Sequence, residues 1–281
     1  MSLLSPAEPV MAVLERPHGL LEGPRIAADG EMIYSDVLAG GVWACSPRGA
    51  VREVLPKRRG IGGILEHADG GWVISGKTLL HVQADGGQRE LHADPQACGF
   101  NDIASTPEGD LLAGVLRYRP MAGDPPKNGQ LLLLGRDGAS RVLSEDVLWP
   151  NGIGLAPDGR TIYLSDYARQ RVLSTDLQGG EMREFAASPE GSADGLAVDV
   201  EGGVWVALGE GGGVARFHPD GRLDEVVALP ASFVSSLSFG GPDMCDVLIT
   251  TADNRVEPQL GGTLLRARSE VAGLPLAAVR V

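Results

Sequence analysis

Tight-turn signals recur along almost the whole chain at a nearly constant step, and this recurrence limits the folds available to it. An acidic residue followed by glycine, or a close variant, returns roughly every 40 to 50 residues, at Asp29-Gly30, Asp69-Gly70, Glu108-Gly109, Asp158-Gly159, Glu201-Gly202 and Gly241-Pro242-Asp243. A second set of turns lies between these, at Arg48-Gly49, Asp85-Gly86, Asp137-Gly138, Gln178-Gly179-Gly180, Asp220-Gly221 and Gly261-Gly262. Two turns per unit imply two hairpins, and therefore four strands in each of six units.

The unit around Asn151 shows the strand pattern most clearly. Thr161–Ser165 alternates between polar and apolar residues, which is typical of a half-buried strand. The 40 glycines and 19 prolines among 281 residues suit a chain that turns often, and closed β folds of roughly 250 residues form one domain. We therefore predict a single all-β domain over residues 1–281, a six-bladed β-propeller with four antiparallel strands per blade.

A propeller needs its ring closed, because an open seam would leave an exposed sheet edge. The last unit supplies three clear strands, Ser235–Phe239, Asp246–Thr250 and Thr263–Ala267, with Val271–Val281 as a tail beyond them. Near the other end of the chain, Pro9–Glu15 has the length and apolar content of a strand. We predict that this N-terminal strand closes the last blade.

Four oxygen-bearing side chains share one position in the repeat, seven residues before a turn dipeptide: Glu22, Asn101, Asn151 and Asp194. Equivalent positions in a repeat occupy equivalent places, so these side chains should converge where the first strands of the units converge. A single acid or amide before a strand more often only caps a turn. Four in one phase instead predict a metal site, and carboxylate and carboxamide oxygens suit Ca²⁺, Mg²⁺ or Mn²⁺.

Charge and composition limit the partners and the compartment. The formal net charge of −13 argues against nucleic acid, which requires a cationic surface. No stretch approaches the ~20 apolar residues of a membrane span, and Pro6 and Pro9 interrupt the short apolar start, so neither a membrane partner nor a signal peptide is expected. Cys45, Cys98 and Cys245 are odd in number and far apart, which fits a reducing compartment. We predict a cytoplasmic protein.

Several motifs together carry a resemblance to a known family. They are Glu22-Gly-Pro24, Phe100-Asn-Asp102, the segment from Trp149 to Gly159, Tyr163-Leu-Ser-Asp166, the segment from Asp194 to Asp199, and Phe239-Gly-Gly-Pro-Asp243 followed by Ile249-Thr-Thr-Ala252. From about Glu22 to Ala267 the chain resembles the senescence-marker-protein, gluconolactonase and luciferin-regenerating-enzyme family, which includes regucalcin. The resemblance implies a six-bladed propeller with one divalent cation in its channel, and hydrolysis of a lactone. Relatives carry calcium, zinc, manganese or iron, and magnesium also fits the donor chemistry.

The resemblance also implies roles for single residues. It makes Glu22, Asn151 and Asp194 direct metal ligands, with Asn101 beside them in contact with substrate or a metal-bound water. A bound cation polarises the lactone carbonyl and acidifies water, and a carboxylate then takes the water's proton. The family resemblance favours Asp194 as this base, and Glu22 is the alternative.

The sequence offers candidate substrate contacts, and at one position it departs from the family pattern. Arg117 and Tyr118, in the long loop Arg117–Gly129, and Trp149, two residues before Asn151, are the candidate substrate contacts. Gly99 stands where sugar-lactone relatives commonly have an arginine that binds a sugar hydroxyl. The missing arginine favours a less hydroxylated or an anionic lactone.

Other functions remain open at this point. The same ligands would serve a non-catalytic calcium-binding or regulatory propeller, and many propellers are platforms for protein interaction, although a platform has no use for carboxylates in its channel. A strictosidine-synthase-like condensing enzyme would share the blades without needing Glu22, Asn151 and Asp194. No elbow motif of a serine hydrolase occurs in the sequence. We therefore predict a metal-dependent lactonase, a carboxylic ester hydrolase acting on a small molecule.

Overall fold

The strands of the chain group into six antiparallel sheets of four, as the repeat predicts. The computed structural model describes residues 2–10, 18–119, 122–253 and 261–281. The first strands of neighbouring sheets contact one another in a closed cycle, so the sheets form the blades of a six-bladed propeller around a central channel. A 3-10 helix, Tyr167–Arg169, lies between two strands of the fourth blade.

In blades one to five the strands follow chain order from the channel outward. Blade one contains β2 (Leu21–Ile26), β3 (Met32–Asp36), β4 (Val42–Cys45) and β5 (Val51–Leu55). Blade two contains β6 (Ile64–Glu66), β7 (Trp72–Ile74), β8 (Leu79–Val82) and β9 (Gln88–His92). Blade three contains β10 (Gly99–Ser105), β11 (Leu111–Leu116), β12 (Gly129–Leu134) and β13 (Ser140–Val147). Blade four contains β14 (Pro150–Leu155), β15 (Thr161–Asp166), β16 (Arg171–Asp176) and β17 (Arg183–Ala187). Blade five contains β18 (Leu196–Val198), β19 (Val204–Ala207), β20 (Gly213–Phe217) and β21 (Leu223–Ala228). Blade six contains β22 (Val234–Gly240), β23 (Asp246–Thr251), β24 (Leu264–Arg268) and the N-terminal β1 (Glu8–Pro9).

The N-terminal segment closes the ring, which confirms the predicted closure. In β1, Glu8 pairs with Arg266 and Pro9 with Leu265, antiparallel to β24. The contact extends on both sides of β1, because the Ser5 and Val10 amides donate to carbonyls of blade six at 2.8 and 2.9 Å. Pairing therefore begins upstream of the predicted range Pro9–Glu15, and residues 11–17 lie outside the described part of the chain.

The hydrophobic core lies between neighbouring blades, where the faces of adjacent sheets meet. Between blades five and six, Trp205 is fully buried and packs edge-on against Phe239, with ring centroids 5.7 Å apart. The same indole donates to Asp199 at 2.9 Å, and Arg216 Nε donates to the same carboxylate oxygen at 2.8 Å. Blade five thus holds a buried ion pair whose polar atoms are hydrogen-bonded, as burial requires.

The C-terminal segment after β24 is not a fourth blade strand but crosses the propeller. The Leu274 amide donates to Val198 in blade five, and the Val279 amide donates to Glu66 in blade two, both at 2.8 Å. Between them, Ser105 of blade three donates its hydroxyl to Ala277 at 2.6 Å. This segment, residues 271–281 and hereafter the C-terminal strap, crosses the end of the channel where the inner strands finish, and it borders a cavity of about 350 Å³ there.

We expect Asp199→Asn to lower the free energy of unfolding by about 2 kcal/mol, because it removes the charge of the only fully buried carboxylate among the three described residues that pair with Arg216. Urea denaturation would measure the change. The matched control is Asp85→Asn, an exposed turn carboxylate that accepts the Gly87 amide, a bond that asparagine retains. A control loss as large as that of Asp199→Asn would contradict this account.

Candidate metal and substrate site

The four side chains predicted from their common phase line a single cavity. Glu22, Asn101, Asn151 and Asp194 all border a space of about 460 Å³ at the end of the channel opposite the C-terminal strap. Three of them lie in the inner strands β2, β10 and β14, and Asp194 lies just before β18. Blade two has Gly62 at the same phase, and it also borders the cavity. The structure therefore brings the predicted metal ligands together.

The strand pairing is interrupted where these residues lie. The register of each inner strand with its hairpin partner shifts between Glu22 and Arg25 in β2, and between Pro150 and Ile153 in β14. The equivalent shift in β10 falls between Phe100 and Ile103. β-Bulges of this kind redirect side chains next to functional sites. The bulges leave Asn101 and Asn151 without a partner in their hairpins, whereas Glu22 lies at the edge of its bulge and still pairs with Ser35.

Glycines beside the candidate ligands let the inner strands approach one another closely. The Gly152 amide donates to the Asp194 carbonyl at 3.1 Å, and a Cβ on Gly152 would lie 2.3 Å from the Leu196 nitrogen. The Gly195 amide donates to the Ser235 carbonyl at 2.8 Å, and its Cβ would lie 2.2 Å from the Ser236 hydroxyl. Side chains at these two positions would separate blades four, five and six.

Hydrogen bonds orient part of the donor set and leave part of it free. The Asn101 amide group donates to the Pro150 carbonyl at 3.0 Å. The Asn151 side chain is hydrogen-bonded to Asp194. Asp194 is only 2% exposed, and its Oδ1 is buried without a hydrogen-bond partner among the described residues. A buried, unsatisfied carboxylate oxygen is rare and calls for a ligand.

The cavity concentrates negative charge. Burial raises the pKa of Glu22 well above its ordinary value, and the nearby carboxylates of Asp194 and Asp102 raise it further. Burial likewise raises the pKa of Asp194, partly opposed by the Asn151 hydrogen bond. Burial raises the pKa of Asp102 to about 6, although the Arg25 cation acts against this. Without a cation, the environment of these carboxyl groups favours their protonated form.

This donor set fits a hard divalent cation. Two carboxylates and two carboxamide oxygens are the ligands that Ca²⁺, Mg²⁺ and Mn²⁺ prefer. Over residues 2–10, 18–119, 122–253 and 261–281, no three or more His, Cys, Asp or Glu side chains form a cluster that could hold a metal. Any cation held here would therefore depend on carboxamide oxygen as well as carboxylate, and a Cys/His zinc set is not formed by these residues.

An aromatic wall stands beside the oxygen donors. The rings of Tyr118 and Trp149 meet edge-on with centroids 6.3 Å apart, and Trp149 meets Tyr167 at 4.8 Å. All three residues line the cavity. Tyr118 reaches it from the loop between β11 and β12, which is the predicted long insertion; residues 120–121 of that loop lie outside the described part of the chain.

The predicted substrate contacts are not all placed in the cavity. Tyr118 and Trp149 line it, whereas the Arg117 guanidinium pairs with Asp94 at 2.7 Å and also with Gln130. Arg117 is not among the residues that border the cavity. Its neighbour Arg119 does border it and pairs with Asp124 at 2.9 Å.

Some residues of the cavity were not predicted from the sequence. Tyr167, Leu38 and Phe233 border it, and each lies in a connection between strands, where periodicity carries no signal. Asp102, the residue after Asn101, accepts the Ile153 amide of β14 at 3.1 Å and so joins blades three and four. Gly99 is buried, and a Cβ there would lie 3.2 Å from the Gly76 carbonyl.

Comparison with known proteins decides the family. Residues 20–253 match the model of the SMP-30/Gluconolactonase/LRE-like region. The chain belongs to this family. The resemblance seen in its motifs is thereby confirmed.

Relatives within the SMP-30/gluconolactonase family extend over nearly the whole chain. The chain is 31% identical to a 6-deoxy-6-sulfogluconolactonase of Pseudomonas putida, covering 95% of this chain and 97% of the relative. It is 28% identical to pentonolactonase XacC of Haloferax volcanii, covering 86% and 85%. A solved calcium-binding protein, regucalcin from Agrobacterium tumefaciens, superposes with a TM-score of 0.84 at 23% identity over 99% and 98% of the two chains, and it supports the fold alone. Among the described residues, no helix has the length and apolarity to span a membrane.

For this member of the SMP-30/gluconolactonase family we expect Glu22→Gln to raise the stability of the metal-free protein by about 1 to 2 kcal/mol at neutral pH. The raised pKa means that the native state loses stability as pH rises from the ordinary value of 4.5 to the raised value, and glutamine removes this loss. Added Ca²⁺ should stabilise the unaltered protein but not the variant. Urea denaturation across this pH range, with and without Ca²⁺, would measure both effects. A metal-free variant less stable than the unaltered protein would contradict the view that the buried Glu22 carboxylate is destabilising.

We further expect Gly152→Ala to lower both stability, by more than about 2 kcal/mol, and cation affinity, since its Cβ would separate β14 from β18. Gly180→Ala is the matched control, because a Cβ there meets no atom within 4 Å. Thermal melting and calorimetric Ca²⁺ titration would report the two effects. Equal behaviour of the two variants would show that the close approach of the blades is unimportant.

Proposed function

We propose that the protein is a divalent-metal-dependent hydrolase that opens lactones. The observation that carries this proposal is the buried pair Glu22 and Asp194, with Asn101 and Asn151 beside it, in a cavity large enough for a small molecule. Carboxylates buried without a cation lower the stability of the folded protein, and such destabilising groups are found mainly at functional sites. The names of two family relatives, a sulfogluconolactonase and a pentonolactonase, support lactone hydrolysis as the reaction.

Glu22, Asn151 and Asp194 would hold the cation, and Asn101 would contact substrate beside it. A divalent cation, when bound, polarises an ester carbonyl and makes a nearby water more acidic. Asn101 is suited to its role because its amide group is fixed on the Pro150 carbonyl. Its other polar atom is then available to the cavity. Calcium, magnesium, manganese, zinc and iron are the candidate ions.

Asp194 is the proposed general base. In ring opening, the oxygen of water forms a bond to the lactone carbonyl carbon, one water proton passes to the base, and the ring carbon–oxygen bond breaks. The departing ring oxygen takes a proton and becomes a hydroxyl, so the product is a hydroxy acid. Asp194 Oδ1, which has no hydrogen-bond partner among the described residues, would accept this proton. Glu22 remains the alternative.

The aromatic wall would position the lactone ring. Trp149 is held by its carbonyl, which accepts the Tyr167 amide at 3.1 Å, and its ring rests between Tyr118 and Tyr167. A fixed wall of this kind restricts the ring to few orientations above the oxygen donors, which lowers the entropic part of the barrier. Arg117, engaged by Asp94, is left out of the proposed substrate contacts.

A second candidate is a non-catalytic cation-binding or regulatory propeller, which the same oxygen donors would also support. Cation binding without turnover would distinguish it. We also keep the cytoplasmic location and the absence of nucleic-acid and membrane partners as predictions; the free thiols of Cys45, Cys98 and Cys245 are consistent with a reducing compartment.

Lactone hydrolysis by metal-stripped protein, with each divalent ion restored in turn, would test the proposal. We expect turnover only with metal, and a loss of about 10² to 10⁴ in kcat for Asp194→Asn. Asp220→Asn, in an exposed turn of blade five, is the control and should retain full activity. Cation binding without turnover of any sugar or simple lactone would favour the regulatory alternative, and absence of cation binding would refute the site assignment.

A further inference from the structure

We propose that the lactone turned over by this site carries an apolar alkyl or aryl substituent, rather than the hydroxyl groups of a sugar lactone. The inference rests on the proposed function and names its substrate class. It follows from the side chains that surround the oxygen donors, which are mostly apolar and only half-buried by the protein itself.

Apolar side chains from several blades form the wall of the cavity above the oxygen donors. They include Leu20, Leu38, Leu116, Trp149, Tyr167 and Phe233. Leu38 is 58% exposed, and the other five are half-buried. Contiguous apolar surface left uncovered by the fold typically marks a binding site, whereas singly scattered residues need no explanation.

The exposure of Leu38 is fixed by the fold. The Leu38 and Ala39 amides donate to Asp36 Oδ1 at 3.1 and 2.8 Å, and the Gly19 amide donates to the other oxygen of Asp36 at 2.9 Å. The turn that carries Leu38 is therefore held by a buried carboxylate, and its side chain is presented at the mouth of the cavity.

Phe233 is held in the same way by a different carboxylate. Its amide donates to Asp253 Oδ1 at 3.0 Å, and its carbonyl accepts the Ala252 amide at 3.1 Å. Two unrelated loops thus use an aspartate to present an apolar side chain to one cavity. Such rigid apolar anchors bind at low entropic cost.

Outside the oxygen donors, the polar side chains of the described wall are those of Cys98, Tyr118, Arg119, Trp149 and Tyr167. The Tyr167 hydroxyl donates to Glu210 at 3.5 Å. Arg119 is the charged residue bordering the cavity besides Glu22 and Asp194, and its backbone amide and guanidinium are both bonded to Asp124. A polyhydroxylated lactone would leave hydroxyl groups without partners against this wall, and such losses weaken binding strongly. An alkyl chain would instead cover the exposed leucine and aromatic surface.

The test compares δ-valerolactone, δ-octalactone, δ-decalactone and glucono-δ-lactone on the metal-loaded enzyme. We expect kcat/KM to rise about threefold for each added methylene that contacts the wall, mainly through KM. Glucono-δ-lactone should be at least about tenfold poorer than δ-octalactone.

Matched variants test whether the chain-length dependence arises at Leu38, at the mouth of the cavity. Leu38→Ser should lower kcat/KM about fivefold for δ-decalactone and by a smaller factor for δ-valerolactone, because the long chain would cover more of the Leu38 side chain. Leu223→Ser is the control, since Leu223 is also exposed, at 41%, but lies on the outer strand β21. It should change neither substrate.

The outcomes separate this inference from the proposed function. Equal or faster hydrolysis of glucono-δ-lactone would overturn the apolar substrate class while leaving the lactonase intact. A chain-length dependence that Leu38→Ser does not alter would overturn the role of Leu38 at the mouth of the cavity. Failure to hydrolyse any of the four lactones would refute the proposed function, and the inference with it.

Discussion

The close approach of six inner strands around one axis is the constraint on which the rest of the molecule depends. At the cavity end the blades are joined by main-chain hydrogen bonds between neighbours, such as Gly152 to Asp194 and Gly195 to Ser235. A hydroxyl of blade six continues the contacts to blade one, where Ser235 donates to Leu21 at 2.6 Å. Strands this close leave room for few side chains on the axis. The side chains that do occupy it are therefore forced into contact, and two of them are carboxylates.

That enforced contact links stability to function. A fold that buries Glu22 and Asp194 together raises the pKa of both, and the protein without a cation loses stability as a result. The same proximity gathers the oxygen donors on one axis, which would reduce the rearrangement required of the proposed cation site. Glycines follow both carboxylate residues, at Gly23 and Gly195. Because they have no side chain, they permit the inner strands to approach closely and add no bulk to the site.

Much of this could be predicted because turn chemistry is local and the repeat converts it into three-dimensional position. The phase of Asn151 relative to Asp158-Gly159 needs no knowledge of the rest of the chain, and it placed the residue in the channel. Closure by the N-terminal segment followed from the strand count of the last unit, but its register with β24 depends on pairing across the whole chain and was not predictable. The bulge in β2 has a local signal in Pro24, because proline cannot donate to the strand ladder.

Features set by distant partners could not be predicted. The Arg117 guanidinium pairs with Asp94, a residue of the connection between blades two and three, and only the folded chain reveals that contact. Leu38 and Phe233 reach the cavity because Asp36 and Asp253 hold their loops, and no periodic pattern marks such loops. The route of the C-terminal strap depends likewise on carbonyls of blades two and five.

The strap also determines where the chain leaves the propeller. Val279 is fully buried, and the main-chain oxygen of Val281 lies 3.1 Å from His67 and 2.9 Å from Arg89. The end of the described chain is thus anchored on the face opposite the mouth of the cavity. Any polypeptide that continues past Val281, natural or fused, would emerge from that opposite face. A surface coupled through this terminus would hold the molecule with its cavity facing the solution.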